Sequence, residues 1–472
     1  MRWLLHSPVK QFVWLSVVFG IAFVALIPPF QGPDEVTHFL RAYEVSSLQN
    51  AHRHHGGKVD LEGSYMPESI KLTYDKARLF LMPNNPDVPQ AKKYFLNQTR
   101  DSLNIPLNKN RKIFYDTAAS PAYVPILYVP QALMIKTFEI FNAPVIVMLY
   151  AVRLICLAIW IILGVVALRQ IQSKRMRFGI AALMTLPMFV SQSIVPGTDA
   201  LLTGVTLLFF ISVYNLYHRR KEVTTTAYLF LSSLLFLMVA AKPVYLVFGA
   251  LMLTLKYHSK KFLNWLLAVI GPAIIGALYV AWSYVTRYGS PHVYIDTVDA
   301  VHASPAAQLH FIIPNIFNFI EPLANTLFLG WGDSTLLSLV GTFGRLDTPL
   351  PLLFILIGFF LILLTVFAKE EEITDMPHRK YFLPMVLLTA ALYSVGVILS
   401  MYIISTPPHA KIVTGVQGRY FLPIVLMLAV FMPKFLLVKK DTLRMIYAIT
   451  PVLLLSASLL VIWLRYYLIY PR

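Results

Sequence analysis

Apolar runs of close to twenty residues recur along the whole chain, near 11–29, 143–168, 178–195, 199–217, 227–241, 243–257, 262–285, 350–368, 381–404, 420–438 and 443–464. About twenty apolar residues wound as a helix match the ~30 Å hydrocarbon thickness of a bilayer. The pattern therefore predicts an all-α polytopic membrane protein with about eleven transmembrane helices. Basic residues collect in alternate connections between the runs: "RQIQSKRMR", "HRRK", "KYHSKK", the 369–380 segment and "KKDTLR". Lys and Arg are held on the cytoplasmic side of membranes, so these connections and the N-terminus are expected inside. The first run follows Arg2 and Lys10 and continues unbroken into "PPF" with no small-residue cleavage site, which reads as an uncleaved signal anchor.

Two segments break the hairpin pattern, and both fall outside on this topology. Residues 30–142 form a polar first extracytoplasmic loop, long enough to be functional in itself. It ends in "SPAYVPILYVPQALMIKTFEIF", which is apolar but carries three prolines; a span here would put "RQIQSKRMR" outside, so a juxtamembrane helix along the outer leaflet is expected. In 286–349, "HFIIPNIFNFIEPLANTLFLGWGDS" is interrupted by Pro314, Glu321 and Pro322 and reads as interfacial too. The chain thus divides into a transmembrane module over 1–285, an extracytoplasmic or interfacial segment over 286–349, and C-terminal transmembrane helices over 350–472. No internal repeat is evident.

Of the 472 residues 57% are hydrophobic and 13% charged, about half the charged fraction of a soluble domain. The formal net charge of +17 does not imply nucleic acid, because the cations punctuate apolar runs and build no basic face interleaved with aromatics. The single cysteine, Cys156, lies in an apolar run, which leaves no disulfide framework and no thiolate metal site.

Candidate chemistry begins with "PPFQGPDEVTHFLRAYE", Pro28 to Glu44, directly after the first apolar run. With Pro33 in the first turn of a helix, Asp34 and Glu35 sit where the helix dipole favours negative charge. Asp34, His38 and Arg41 then share one face with Thr37 and Glu44 beside them, while Val36, Phe39, Leu40 and Tyr43 face the other way, as suits an amphipathic helix at the membrane surface. Taken alone, the stretch is as well explained by helix capping with charge pairs three and four residues apart. Other expected outer ends also carry charge: Asp199 in "SIVPGTDALL", Lys242 in "AAKPVY", Arg345 and Asp347 in "GTFGRLDTP", and Arg419 beside Tyr420 in "GVQGRYFLP", whereas Arg153 is almost the only ionisable residue deep in a run. Charge near a bilayer is costly and tends to mark a site.

A carboxylate among Arg and Lys suits transfer of a sugar away from a phosphate. Cations meet the charge of the leaving phosphate, so one carboxylate suffices as base for the incoming hydroxyl, with inversion through an oxocarbenium-like state. Arg419 is the expected phosphate ligand, helped by Lys242 and Arg345, with the following apolar run guiding a lipid tail. Weaker signals are His52, His54 and His55, which lack accompanying carboxylates; the sequon at Asn97; and the aromatic residues of "RKIFYDTAASPAYVPILYVP", which suit a sugar-lining surface or interfacial anchors equally.

Several stretches resemble the GT-C superfamily of glycosyltransferases, which use polyprenyl-phosphate or polyprenyl-diphosphate sugars. "PDEVTHF" is similar to the "WDEAHF"-like stretches of protein O-mannosyltransferases, and "SQSIVPGTDALL" to an outer loop of oligosaccharyltransferase catalytic subunits. "PPFQGPDEVTHFLRAYE", "SPAYVPILYVPQAL", "GTFGRLDTPLP" and "GVQGRYFLP" together resemble, over nearly the whole chain, a bacterial family of predicted multi-pass membrane proteins grouped with GT-C and long described as a domain of unknown function. The resemblance implies catalysis by Asp34 with Glu35 as neighbour, and Asp199 as the second-loop acid. To Asp199 the reading of the residues themselves adds His38, Arg41, Lys242, Arg345, Arg419 and Tyr420 as expected substrate-binding groups. The second loop offers one acid where the oligosaccharyltransferases pair two on a metal, so no cofactor is expected, with Mg or Mn as the alternative. The implied partners are a polyprenyl-phosphate sugar donor, an extracytoplasmic glycan or other hydroxyl acceptor, and the lipid bilayer, in a bacterial inner membrane with the active site outward. A transporter, flippase or polymerase-like protein for lipid-linked glycans is the rival, although such proteins favour midplane sites and paired halves.

Overall fold

The computed structural model describes residues 7–48, 52–56, 59–78, 97, 99–116, 123–219, 222–255, 261–287, 305–328, 333–369 and 381–468. The first apolar run forms the helix Pro8–Leu26, which starts where Ser7 accepts a hydrogen bond from the Lys10 amide and Pro8 occupies the first turn. It stops at Ile27, whose backbone is extended ahead of Pro28 and Pro29. Among the described residues five helices are long and apolar enough to cross a membrane by length and composition: Pro8–Leu26, Val145–Gln170, Asp199–His218, Phe382–Ser405 and Lys440–Tyr466.

Of the other apolar runs, 262–285 forms the 27-residue helix Lys261–Arg287 with Pro272 inside it, and the rest are shorter or broken. Residues 178–195 divide into Lys174–Met184 and Pro187–Ser193, because Pro187 donates no amide and starts a new turn. Residues 243–257 wind as the 3-10 helix Pro243–Thr254, and Gly418–Phe421 leads into only ten α-helical residues, Leu422–Phe431. Every side chain from Met188 to Ser193 is buried against protein. Hydropathy cannot distinguish a core residue from a lipid-facing one, which is why eleven runs do not translate into eleven equal spans.

One hydrophobic core runs from Phe12 to Tyr466 and takes in Val340 and Phe343, so described residues of all three expected divisions share it. The first helix lies against Val145–Gln170, with Gly20 over Leu157, Gly164 over the Phe12 ring, and Phe12 edge-on to Trp160 at 5.9 Å. Gln11 Nε2 donates to the Tyr447 carbonyl at 2.6 Å, tying the first helix to the last.

The loop 30–142 contains structure the apolar pattern does not announce. A three-stranded antiparallel sheet is formed by His52–Gly56, Val59–Pro67 and Lys112–Asp116, with Val59–Pro67 central and Tyr65 opposite Phe114. The helix Glu68–Arg78 follows the central strand. Where a juxtamembrane helix is expected, the chain forms the helix Val129–Ile140, twelve residues or about 18 Å long and too short to cross a bilayer. The described parts of 305–349 are likewise short pieces, Pro305–Ile312, Ile320–Phe328 and Asp333–Val340, followed by a two-residue hairpin pairing Thr342–Phe343 with Thr348–Pro349.

Candidate active site

The helix after the first span begins at Glu35 and runs to Ser46, so Pro33 and Asp34 precede it instead of lying in its first turn. Asp34 precedes it in the left-handed region, at φ 55° and ψ 16°, and makes no capping hydrogen bond. A residue with a Cβ is strained there, although Asp tolerates it better than most. The helix itself is buried on nearly every side, Phe39 and Glu44 as deeply as Arg41, so it is no surface amphipath. Freed from capping, the Asp34 carboxylate meets Arg419: Nη2 donates to Oδ2 at 3.0 Å, the guanidinium 7% exposed and the carboxylate 61%.

Arg419 is the hub of the site. Its Nη1 donates to Gln192 Oε1 at 2.9 Å and stands 3.9 Å from Asp199 Oδ2, while Nε donates to Gln417 Oε1 at 2.5 Å. Asp199 in turn accepts from Lys242 Nζ at 2.8 Å. Lys242 Nζ and the Arg419 guanidinium lie 5.7 and 5.3 Å from the centre of the Tyr420 ring. Five sequence-predicted residues, Asp34, Asp199, Lys242, Arg419 and Tyr420, thus converge from four distant segments on a carboxylate–guanidinium–carboxylate–ammonium chain. Surrounding protein works to raise the Asp34 carboxyl; Arg419, with a smaller contribution from His38, outweighs it and holds the group below its ordinary 3.8.

His38 closes another side. Its ring packs 5.1 Å from Tyr123 and 6.0 Å from Tyr128, and Nδ1 shares a 2.7 Å hydrogen bond with the Tyr128 hydroxyl. Gly197 brings the Asp199 loop against this ring, where a Cβ would come within 2.8 Å of His38 Cδ2, and Gln131 Nε2 holds the loop by donating to the Gly197 carbonyl at 3.0 Å. Burial depresses the His38 pKa below 6.5, against the opposing pull of Asp34 and Asp199. The imidazole is therefore neutral at neutral pH, and the cation that keeps Asp34 ionised is mainly Arg419, where the helix pattern points to His38 and Arg41.

Other expectations are corrected. Arg41 pairs with Glu44 at 2.9 Å and donates to the Tyr123 carbonyl, while Glu44 accepts from Ser64 Oγ at 2.8 Å; these bonds fasten the sheet and Tyr123 to the site helix rather than reaching Asp34. Glu35, expected beside Asp34 as a catalytic carboxylate, points the other way into the protein. Arg153 Nε and Nη2 donate to its two oxygens at 2.6 and 2.8 Å, and the Gly32 amide adds a third bond at 2.9 Å. Arg153 also binds the Ile27 and Pro28 carbonyls at 2.6 and 2.8 Å, satisfying the end of the first helix. Arg345 is exposed in the hairpin turn, and among the described residues no ion pair joins it to Asp34 or Asp199; Asp347 is bound by Arg465 at 3.0 Å. Leu422–Phe431, expected to guide a lipid tail, is buried core over most of its length.

The sequence points to no individual role for Gln192, Gln131, Gln417, Tyr123 or Tyr128, although both tyrosines lie in the aromatic stretch "RKIFYDTAASPAYVPILYVP". The amides had no signal beyond their proximity to charged residues. Arg153 did have one, since an ionisable group deep in an apolar run requires a partner. The side chains of His52, His54 and His55 lie outside the described residues, and among those described no three His, Cys, Asp or Glu stand together as a metal-binding group.

No curated protein and no solved structure matches the chain. A family described as "Predicted membrane protein (DUF2142)" matches residues 17–428, from the middle of the first span through the Arg419 segment and every member of the Asp34 network. The chain is a multi-pass membrane protein belonging to that family.

Proposed function

We propose that the protein is a membrane glycosyltransferase of GT-C type that moves a sugar from a polyprenyl-phosphate donor to a hydroxyl acceptor, with Asp34 as the base. The observation that carries this reading is an open carboxylate bonded to a buried guanidinium that shares a second acid with an ammonium group. Arg419, Lys242 and the Tyr420 ring suit the donor phosphate and the sugar next to it. In the resting arrangement Arg419 lowers the basicity of Asp34. A donor phosphate competes for the same guanidinium, relaxes the Asp34–Arg419 bond and restores basicity when substrate is present. The acceptor hydroxyl then gives its proton to Asp34 as its oxygen bonds to the anomeric carbon, and the bond from that carbon to the phosphate oxygen breaks. The electron pair leaves with the polyprenyl phosphate, whose charge Arg419 and Lys242 meet, and the anomeric configuration inverts.

His38, neutral and fixed by Tyr128, supports this reading as an orienting group for a sugar hydroxyl, with Tyr123 beside it. A cell-surface glycan as acceptor and an outward-facing bacterial inner-membrane site are parts of the same proposal. The test is to incubate the purified full chain with labelled polyprenyl-phosphate hexoses and hydroxyl acceptors and to measure polyprenyl phosphate released. Release that requires Asp34 supports the proposal. Movement of intact lipid-linked sugar across a vesicle membrane without release would instead identify a transporter.

A further inference from the structure

At the end of the first helix remote from Asp34, a groove of about 530 Å³ opens between Pro8–Leu26 and its partner Val145–Gln170. Its walls are apolar, Val13, Val17 and Val165, with Trp14 43% exposed at its side and Lys10 and Arg169 at its rim. Both cations are exposed, and among the described residues neither is paired with a carboxylate. The two helices run antiparallel: Arg153 grips the end of the first helix through Ile27 and Pro28, and Arg169 lies roughly 24 Å further along at 1.5 Å per residue. That separation places the groove near the opposite bilayer surface from the Asp34 site. An apolar strip leads away from the groove toward mid-membrane, with Val18 and Ile21 exposed on one helix and Ile162 on the other.

We propose that this groove is a binding site for an anionic phospholipid. Its phosphodiester sits between Lys10 and Arg169, Trp14 lies at headgroup level, and an acyl chain follows Val13, Val17 and Ile21. The apolar length of the strip favours a lipid over a free phosphate, since inorganic phosphate leaves the valine walls wet. Two unpaired cations favour an anionic headgroup over a zwitterionic one. The site does not depend on the glycosyltransferase reading.

Trp14 provides the readout. The full-length protein is reconstituted in phosphatidylcholine nanodiscs containing a low mole fraction of lipid with brominated acyl chains, and quenching is attributed to Trp14 by comparison with Trp14→Phe. Brominated phosphatidylglycerol is expected to quench this component well below the fraction at which brominated phosphatidylcholine does. A Lys10→Gln/Arg169→Gln protein should require about thirtyfold more phosphatidylglycerol, as follows from roughly fivefold per charge near a membrane surface. Equal quenching by both lipids, unchanged quenching in the double variant, or displacement by millimolar inorganic phosphate would each overturn the proposal.

Discussion

The left-handed backbone of Asp34 and its open carboxylate argue against a capping role, because a cap uses an extended backbone and bonds the first helical amides. Asp34→Asn keeps the shape and should lower transfer about 10²–10⁴-fold, the usual contribution of a general base, while leaving expression and the thermal unfolding midpoint nearly unchanged. Rates within a few-fold of the parent would remove Asp34 as the base. Arg419→Lys keeps the charge but loses the fork that reaches Asp34 and Gln192 together. Donor affinity measured by lipid-displacement binding should fall roughly tenfold to a hundredfold, in line with about 1.5–3 kcal/mol for a charge-assisted bond; unchanged affinity would place the phosphate elsewhere.

Titration at these residues has a definite sign. Because the folded pKa of Asp34 lies below 3.8, its contribution to stability is present above that value and is lost as pH falls through the depressed one; the acid limb of kcat/KM, which reports the free enzyme, should lie below the ordinary carboxylate range, and that of kcat, which reports the donor complex, at higher pH. His38 is held neutral, so below its ordinary 6.5 the unfolded chain binds the proton that the folded site resists. Unfolding midpoints should therefore decline as pH drops below about 6.5, and His38→Gln should flatten that decline. An identical slope in the variant would mean that His38 gains its proton without opposition.

The element that positions Asp34 is the turn between the first span and the Glu35–Ser46 helix, held from behind by Arg153. Glu35 and Arg153 are each 1% exposed, so removing one partner leaves an uncompensated buried charge. Glu35→Gln or Arg153→Met alone should destabilise by about 3–5 kcal/mol, whereas the two together should recover much of that loss. Thermal unfolding in detergent, arranged as a double-mutant cycle, separates these outcomes; additive losses would show that the pair is not coupled. A catalytic Glu35 predicts something different: activity lost at unchanged stability.

Among the described residues, the charged clusters that the helices carry lie toward two ends of the bundle. The Asp34 network lies at one end. At the other, Arg175 bonds the Ala368 carbonyl and Lys434 bonds the Val366 carbonyl, beside the parallel pairing of Ala368–Lys369 with Leu436–Leu437. With basic connections retained in the cytoplasm, reporters fused after Lys174 and Lys221 should be cytoplasmic, and reporters within 50–110 or at Arg472 external. An external reporter at Lys174 would invert the assignment of the Asp34 end.

The sequence alone determined the helical membrane character, because a long apolar run satisfies its backbone polar groups only as helix in lipid. It also singled out Asp34, Asp199, Lys242 and Arg419, because ionisable side chains beside apolar runs are conspicuous whatever their partners. What it left undecided was pairing. Asp34 and Arg419 are 385 residues apart, and no local period relates them; neighbouring Asp34 and Glu35 looked like a pair until the turn at φ 55° sent one toward Arg419 and the other toward Arg153. The same limit explains the runs at 178–195 and 420–438, where hydrophobicity records that a side chain avoids water and only packing decides whether lipid or protein receives it.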